Sequence, residues 1–333
     1  MTSGDVFDAV IVGGSWAGLA AAMQLGRARR RVLVIDAGQP RNRFAEHSHG
    51  FLGQDGKSPK EILDTFRAQV LAYPTIQLRE DVATAARKRA DDVFELDVAS
   101  GDVVHAARLI LATGIADDLP AIPGLRERWG RTVLHCPYCH GYEVADRRLG
   151  VLAVSEQSIH QATLVRDWSR DVTLFTNGTF SPDPEQRAQL EARGIRIETR
   201  AVDALIGDAL IGDALIGDAP HLTGVRLADG GVIAIDALFT ASRTRIASPL
   251  AEQLGCAFDD GIQGPIVRTD ERKETTVAGV YCAGDATRAM HNATFAVADG
   301  VMAGIAAHQS LVFATAARKL RKQARGSPLS PAL

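Results

Sequence analysis

Short apolar runs alternate with glycine turns and helical stretches along this chain. Val6 to Val12 is apolar enough to read as a buried strand, Ala17 to Arg29 as an alanine-rich helix, and Val32 to Ile35 as a second strand ending on Asp36. A helix over Pro59 to Ala72 follows, then shorter stretches at Ile76 to Leu78, Val93 to Val98 and Val103 to Ala112. The strand-helix-strand rhythm returns with a strand within Arg148 to Val154, a helix near Ser158 to Trp168 and a strand at Val172 to Phe175. Two such units predict an α/β protein with two doubly wound, Rossmann-like domains.

Two segments fall outside that rhythm. Ala204 to Asp218 is Ala-Leu-Ile-Gly-Asp three times in tandem. A five-residue period fits neither a solenoid nor one helix face, and each Gly-Asp is turn chemistry, so an expanded loop between strands is expected. From about Ala317 to Leu333 the chain carries Arg318, Lys319, Arg321, Lys322 and Arg325, then Ser and Pro, which predicts a frayed, solvated basic tail.

Composition narrows the class of protein. The 333 residues suffice for two cores, and 46% hydrophobic with 23% charged residues is ordinary for a globular chain. A net charge of -3 gives no sign of nucleic-acid or membrane-surface binding. No apolar run of spanning length and no leader segment stand out, so a reducing, cytoplasmic setting is expected.

Two motifs carry chemistry. Gly13, Gly14, Ser15, Trp16, Ala17 and Gly18 lie between the first strand and its helix, where a dinucleotide fingerprint belongs. Gly13 allows the tight turn, Gly18 lets helix and strand pack closely, and the helix start offers amide donors to a pyrophosphate. The middle glycine position holds Ser15, small enough for close approach, and Asp36 stands where an acid can bind a ribose hydroxyl. The second motif is Cys136, Pro137, Tyr138, Cys139 and His140. Such a pair can be a two-electron switch, half of a zinc site, a c-type haem attachment, or plain structure. Zinc needs further ligands, and Cys256 and Cys282 stand far apart; haem attachment needs export. No metal is expected at His47 and His49 either, where a third ligand is not evident and a loop over the site of a bound dinucleotide, should the glycine turn hold one, is expected.

Leu109 to Gly114 is an apolar strand closing on Ala112, Thr113 and Gly114, and Val280 to Asp285 is another closing on Gly284 and Asp285. With these, the whole chain resembles the low-molecular-weight thioredoxin reductase family of flavoproteins. The resemblance implies FAD, with Gly13, Ser15, Ala17, Gly18, Asp36, Ala112, Thr113, Gly114, Gly284, Asp285, His291, Asn292 and Ala293 around it, and Asp285 on the ribityl chain and pyrophosphate. It implies an FAD domain split in sequence, residues 1–116 and 247–316, around an inserted domain at 117–246 that carries the Cys pair. A helix over Met290 to Gly300 begins beside the flavin, with His291 and Asn292 where the family usually has Arg-Gln. A homodimer is implied as well. Cys282 reads as a strand core residue and Cys256 as an unreactive Cys beside a helix end.

The family's NADPH determinants are missing. The turn that should hold the second pyrophosphate is Ala153, Val154, Ser155, Glu156, Gln157 and Ser158, without glycine and with an acid. After Val172 to Phe175 stand Thr176, Asn177 and Gly178 instead of a His-Arg-Arg run. This pattern, with Cys136 to Glu143, is similar to the flavin dithiol oxidases that lack an NADPH site. The resemblance implies that Cys136 exchanges with a small-molecule dithiol, or with a thioredoxin-like protein, that Cys139 passes electrons to FAD, and that His140 takes the thiol proton. A reductase fed in another way and a non-enzymatic flavin sensor are the alternatives.

Overall fold

A computed structural model describes the backbone of residues 6–207, 210–211, 214–215 and 221–326, and the side chains of 6–207 and 221–313. Its helices run in chain order α1 (Trp16–Arg27), α2 (Pro59–Leu71), α3 (Pro137–His140), α4 (Ser158–Val165), α5 (Pro184–Ala192), α6 (Leu250–Gln253) and α7 (Ala293–Gly326). The residues fall into two compact units. The first takes in Met1–Arg41, Leu63–Ala116 and Ile246–Leu333 as far as these are described, the second Asn42–Ile62 and Asp117–Arg245.

The first unit is built on a five-stranded sheet in the order Val280–Cys282, Leu109–Leu111, Ala9–Val12, Val32–Asp36 and Ile76–Glu80, every neighbouring pair parallel. Strands covered on both faces need continuous apolar sequence, and Ala9–Val12 and Val32–Asp36 are buried at every position. Each such Val or Ile contributes about 1.5–3 kcal/mol on burial. The apolar run Val6 to Val12 divides at Asp8, whose carboxylate accepts from Arg31 N at 2.9 Å. Val6–Phe7 therefore joins a second sheet with Val103–Ala106, Phe94–Val98 and Ala83–Lys88. The stretch Val103 to Ala112 likewise divides between the two sheets. Ala83–Lys88, with the sequence ATAARK, gives little strand signal and was not anticipated.

The second unit repeats the plan with a parallel sheet in the order Val133–Leu134, Ala237–Phe239, Leu149–Leu152, Val172–Phe175 and Ile195–Glu198. A three-stranded antiparallel sheet, Val202–Gly207 with Leu222–Leu227 and Val232–Ala234, completes it.

Four expectations are corrected. The first copy of the tandem repeat is part of the Val202–Gly207 strand, because Ala204 and Leu205 are buried. Tertiary packing there overrides the turn signal. Leu210–Ile211 pairs with Ala214–Leu215, and the rest of the repeat lies outside the described residues. The basic segment from Ala317 is helical as far as Gly326, as its run of Ala, Lys, Leu, Arg and Gln favours; 327–333 lie outside the described residues. Residues 42–62 belong to the second unit, not to the FAD domain: Glu46 pairs with Arg131 at 2.7 Å, and His49 with Glu143 at 3.4 Å. Finally, Ala293–Phe313 is long and apolar enough to cross a membrane by length and composition. It packs as a core helix: a Cβ at Gly300 would strike the Ala17 carbonyl, and one at Gly304 would meet the Ala21 oxygen at 2.7 Å.

Candidate functional site: a dinucleotide cradle and a disulfide

In the first unit, Gly13 leaves the end of its strand at φ 107°, in the left-handed region that glycine tolerates. A Cβ there would collide with the carbonyl of Ala112, and one at Gly18 with the carbonyl of Gly13. Strand ends and helix start are thus pressed together as a phosphate cradle requires. Ser15 is the N-cap of α1 and makes no side-chain cap bond. Ala17 is buried, with its carbonyl against Gly300 and its Cβ near Gly284.

Asp36 ends the neighbouring strand and is almost fully buried. Its Oδ1 accepts from Gly14 N at 3.1 Å and Gly38 N at 3.2 Å, and Arg67 of α2 donates to Oδ2 at 2.5 Å. A carboxylate has about four acceptor positions, so one is left for a ribose hydroxyl. Across the sheet, Gly284 has φ 84° and leads into Asp285, which pairs with Arg41 at 3.3 Å. Ala112 N bonds to Val12 O at 2.8 Å, and Gly114 follows Thr113 at φ 65°.

Farther on, Asn292 Oδ1 accepts from Thr294 N at 2.8 Å and so caps α7, which starts at Ala293. The His291 ring meets the Arg288 carbonyl at 3.1 Å. Asp299, on the same helix, is buried with Lys273 at 2.8 Å and Arg288 at 2.6 Å; burial raises its pKa, but the two cations outweigh that and hold it below the usual carboxylate value. The glycine turn, Asp36, Ala112–Gly114, Gly284 and Asp285 gather at the carboxyl ends of one parallel sheet, the usual ligand crevice of such folds. Arg67 and Arg41 were missed in the sequence, since neither has a fixed spacing to the acid it meets.

Cys136, Cys139 and His140 lie in the second unit. Cys136 is the N-cap of α3 with Pro137 as first helical residue, and the two cysteines are joined as a disulfide with Cα atoms 5.3 Å apart. Gln161 of α4 donates to the His135 carbonyl at 2.8 Å, and Tyr138 meets Trp168 edge-on with ring centres 5.4 Å apart. His140 is half-buried. That desolvation lowers its pKa, the Glu143 carboxylate opposes the shift, and His49 adds to it. Its imidazole is therefore neutral at pH 7 and able to accept a proton. His49 stands 3.4 Å from Glu143 and 3.7 Å from Asp55, and among the described residues no group of ligands suits a metal ion.

The turn between Leu149–Leu152 and α4 is closed on itself. Ser158 Oγ accepts from Val154 N at 3.2 Å, and the amides of Ser158, Ile159 and His160 bond to the carbonyls of Ser155, Glu156 and Gln157 at 3.0–3.1 Å. Glu156 bonds to Gln186. After Val172–Phe175, Thr176 is buried and Asn177 Oδ1 accepts from Val202 N at 2.8 Å.

A dinucleotide cradle and a dithiol switch on one chain define a disulfide oxidoreductase, and this chain belongs to the pyridine nucleotide-disulphide oxidoreductase family, whose pattern matches residues 7–300. Its relatives are thioredoxin reductase-like. Thioredoxin reductase tcpT of Claviceps purpurea is 32% identical over 320 residues, covering 94% of this chain and 96% of tcpT. Among solved structures, an oxidoreductase from Agrobacterium tumefaciens is 48% identical with a TM-score of 0.85, over 93% of this chain and 99% of that one. HlmI is 35% identical with a TM-score of 0.88, over 98% of both. Members of this thioredoxin reductase-like group are FAD-dependent flavoproteins. The first unit fits that cofactor: Gly13 and Gly18 leave no room for side chains, and Arg67 neutralises Asp36 beside the helix start.

Proposed function

We propose that the chain is an FAD-dependent dithiol oxidase whose electrons enter through Cys136. The self-closed turn at 153–158 carries this reading. A pyrophosphate needs free amides and a close backbone, whereas here the amides of Val154, Ser158, Ile159 and His160 are taken by Ser158 Oγ and the turn's own carbonyls, no glycine lets a phosphate approach, and Glu156 adds a like charge.

His140 takes a proton from one substrate thiol, and the thiolate attacks Cys136 Sγ, breaking the Cys136–Cys139 bond and releasing the Cys139 thiolate. The second substrate thiol gives its proton to the Cys139 thiolate and attacks the substrate sulfur of the mixed disulfide, expelling Cys136 as a thiolate. The substrate leaves as a disulfide, and Cys136 and Cys139 hold its two electrons. FAD, held by the glycine turn, Asp36 and Asp285, would supply a two-electron acceptor for the Cys136–Cys139 dithiol, with dioxygen, reduced to hydrogen peroxide, or another acceptor as the final oxidant. A small-molecule dithiol is the proposed substrate and the cytoplasm the proposed setting.

The test is anaerobic mixing of holoenzyme with dithiothreitol, NADPH or NADH while the flavin absorbance is followed. Dithiothreitol bleaches the band, air restores it with peroxide release, and Cys139→Ser stops the peroxide. Rapid bleaching by NADPH overturns the proposal in favour of the second reading, a reductase, which the name thioredoxin reductase carried by tcpT favours.

A further inference from the structure

Residues 42–62 contribute more than a connection. Ser48 N bonds to Lys57 O at 2.8 Å and Gly56 N to Ser48 O at 2.9 Å, closing a loop that presents His49. Asp55 braces the loop from inside: its Oδ1 accepts from Gly50 N at 2.8 Å, and its Oδ2 lies 3.7 Å from His49 Nδ1. The other imidazole nitrogen, Nε2, lies 3.4 Å from Glu143 Oε1. Glu143 is three positions beyond His140. The result is a line of ionisable groups from Glu143 through His49 to the exposed Asp55, close enough to the half-buried His140 for Glu143 and His49 both to act on it electrostatically. Next to it, the His47 ring is occupied by the Gly56 carbonyl at 3.1 Å.

We infer that Glu143 and His49 are positioning residues that act through His140, balancing its hold on the substrate thiol's proton. The inference rests on the dithiol-oxidase reading above. Among the described residues, the charges that act on His140 are those of Glu143 and His49, and they pull in opposite directions. Glu143 stabilises the imidazolium, and His49, which pairs with the same carboxylate at 3.4 Å, offsets that pull. Removing one member therefore has the opposite effect from removing the other, a signature that simple loss of structure does not produce.

The experiment measures the rate of flavin reduction by dithiothreitol, without oxygen, from about pH 5.5 to 8.5. It compares wild-type holoenzyme with His49→Gln, Glu143→Gln and His140→Gln; flavin absorbance and melting temperature report integrity. Wild type loses rate on the acid side as His140 becomes protonated, below the usual imidazole value. In His49→Gln the unbalanced Glu143 makes His140 more basic, so the acid limb moves up by about half a unit or more, a roughly threefold loss of rate on that limb. In Glu143→Gln the limb moves down. Should His49→Gln fail to retain flavin, Asp55→Asn loosens the same imidazole and shifts the limb upward by less. Limbs that stay in place, or move in the same direction in the His49 and Glu143 variants, overturn the inference. If His140→Gln itself keeps the wild-type rate and limb, it is the assignment of His140 as base that fails.

Discussion

Cys256 and Cys282 have the same side chain as the redox pair and opposite surroundings. Cys282 is fully buried in the Val280–Cys282 strand, and desolvation pushes its thiol far above the ordinary value. Burial also raises Cys256, with a smaller opposing effect from Thr275 Oγ1 at 3.5 Å. Because the thiolate is the reactive species, both thiols are inert in the folded protein. After mild reduction and removal of reductant without oxygen, a thiol-disulfide reagent at pH 8 is expected to titrate Cys136 and Cys139 alone, and all four cysteines in guanidinium. Four fast thiols in the native protein would contradict this. At this scale the sequence was informative wherever chemistry sits in a contiguous motif. The tight turn at Gly13, the close packing at Gly18 and the pairing of Cys136 with Cys139 could be read because each motif's spacing reflects a local turn. The Arg67–Asp36 and Arg41–Asp285 pairs could not, since each joins separate stretches of chain.

The packing of α7 on α1 depends on two glycines. Gly300 lies so close to the Ala17 carbonyl that even a methyl group collides with backbone, and Gly304 approaches Ala21 in the same manner. Backbone cannot yield as a flexible side chain would, so Gly300→Ala is expected to cost about 2–3 kcal/mol. It should also loosen the turn that begins α1. The measurement is urea unfolding of the variant together with its FAD content: a lower midpoint with partial flavin loss is expected, and wild-type values for both would refute the packing argument. The start of α7 was legible to within a turn from Met290, whereas its end was not. The basic composition suggested solvation and fraying, but the same Ala, Leu, Lys and Arg residues are good helix formers, and helix propensity prevailed. Ala83–Lys88 failed for the converse reason: its neighbours in the sheet, not its own residues, make it a strand.

For the molecule as a whole, the alternation of apolar runs with helices was enough to anticipate both parallel sheets, because each strand-helix-strand unit is local. The assignment of residues 42–62 was not legible, since it depends on Glu46 and His49 meeting residues far along the chain. The homodimer remains a proposal, supported by the exposed apolar side chains Met302, Ile305, Val312 and Phe313 on α7. Light scattering is expected to give twice the 35.5 kDa of one chain, and a monomer at micromolar concentration would reject it. The order of strands in the first sheet also governs how the protein is made. Leu109–Leu111 receives one neighbour, Ala9–Val12, from sequence before the second unit's main segment and the other, Val280–Cys282, from sequence after it. A ribosome therefore releases everything needed for the second unit's parallel sheet while the cofactor sheet still has an open edge. Closing that edge is a long-range pairing made only after the second unit's segment has been synthesised, so completion of the flavin cradle follows that of the second unit's sheet.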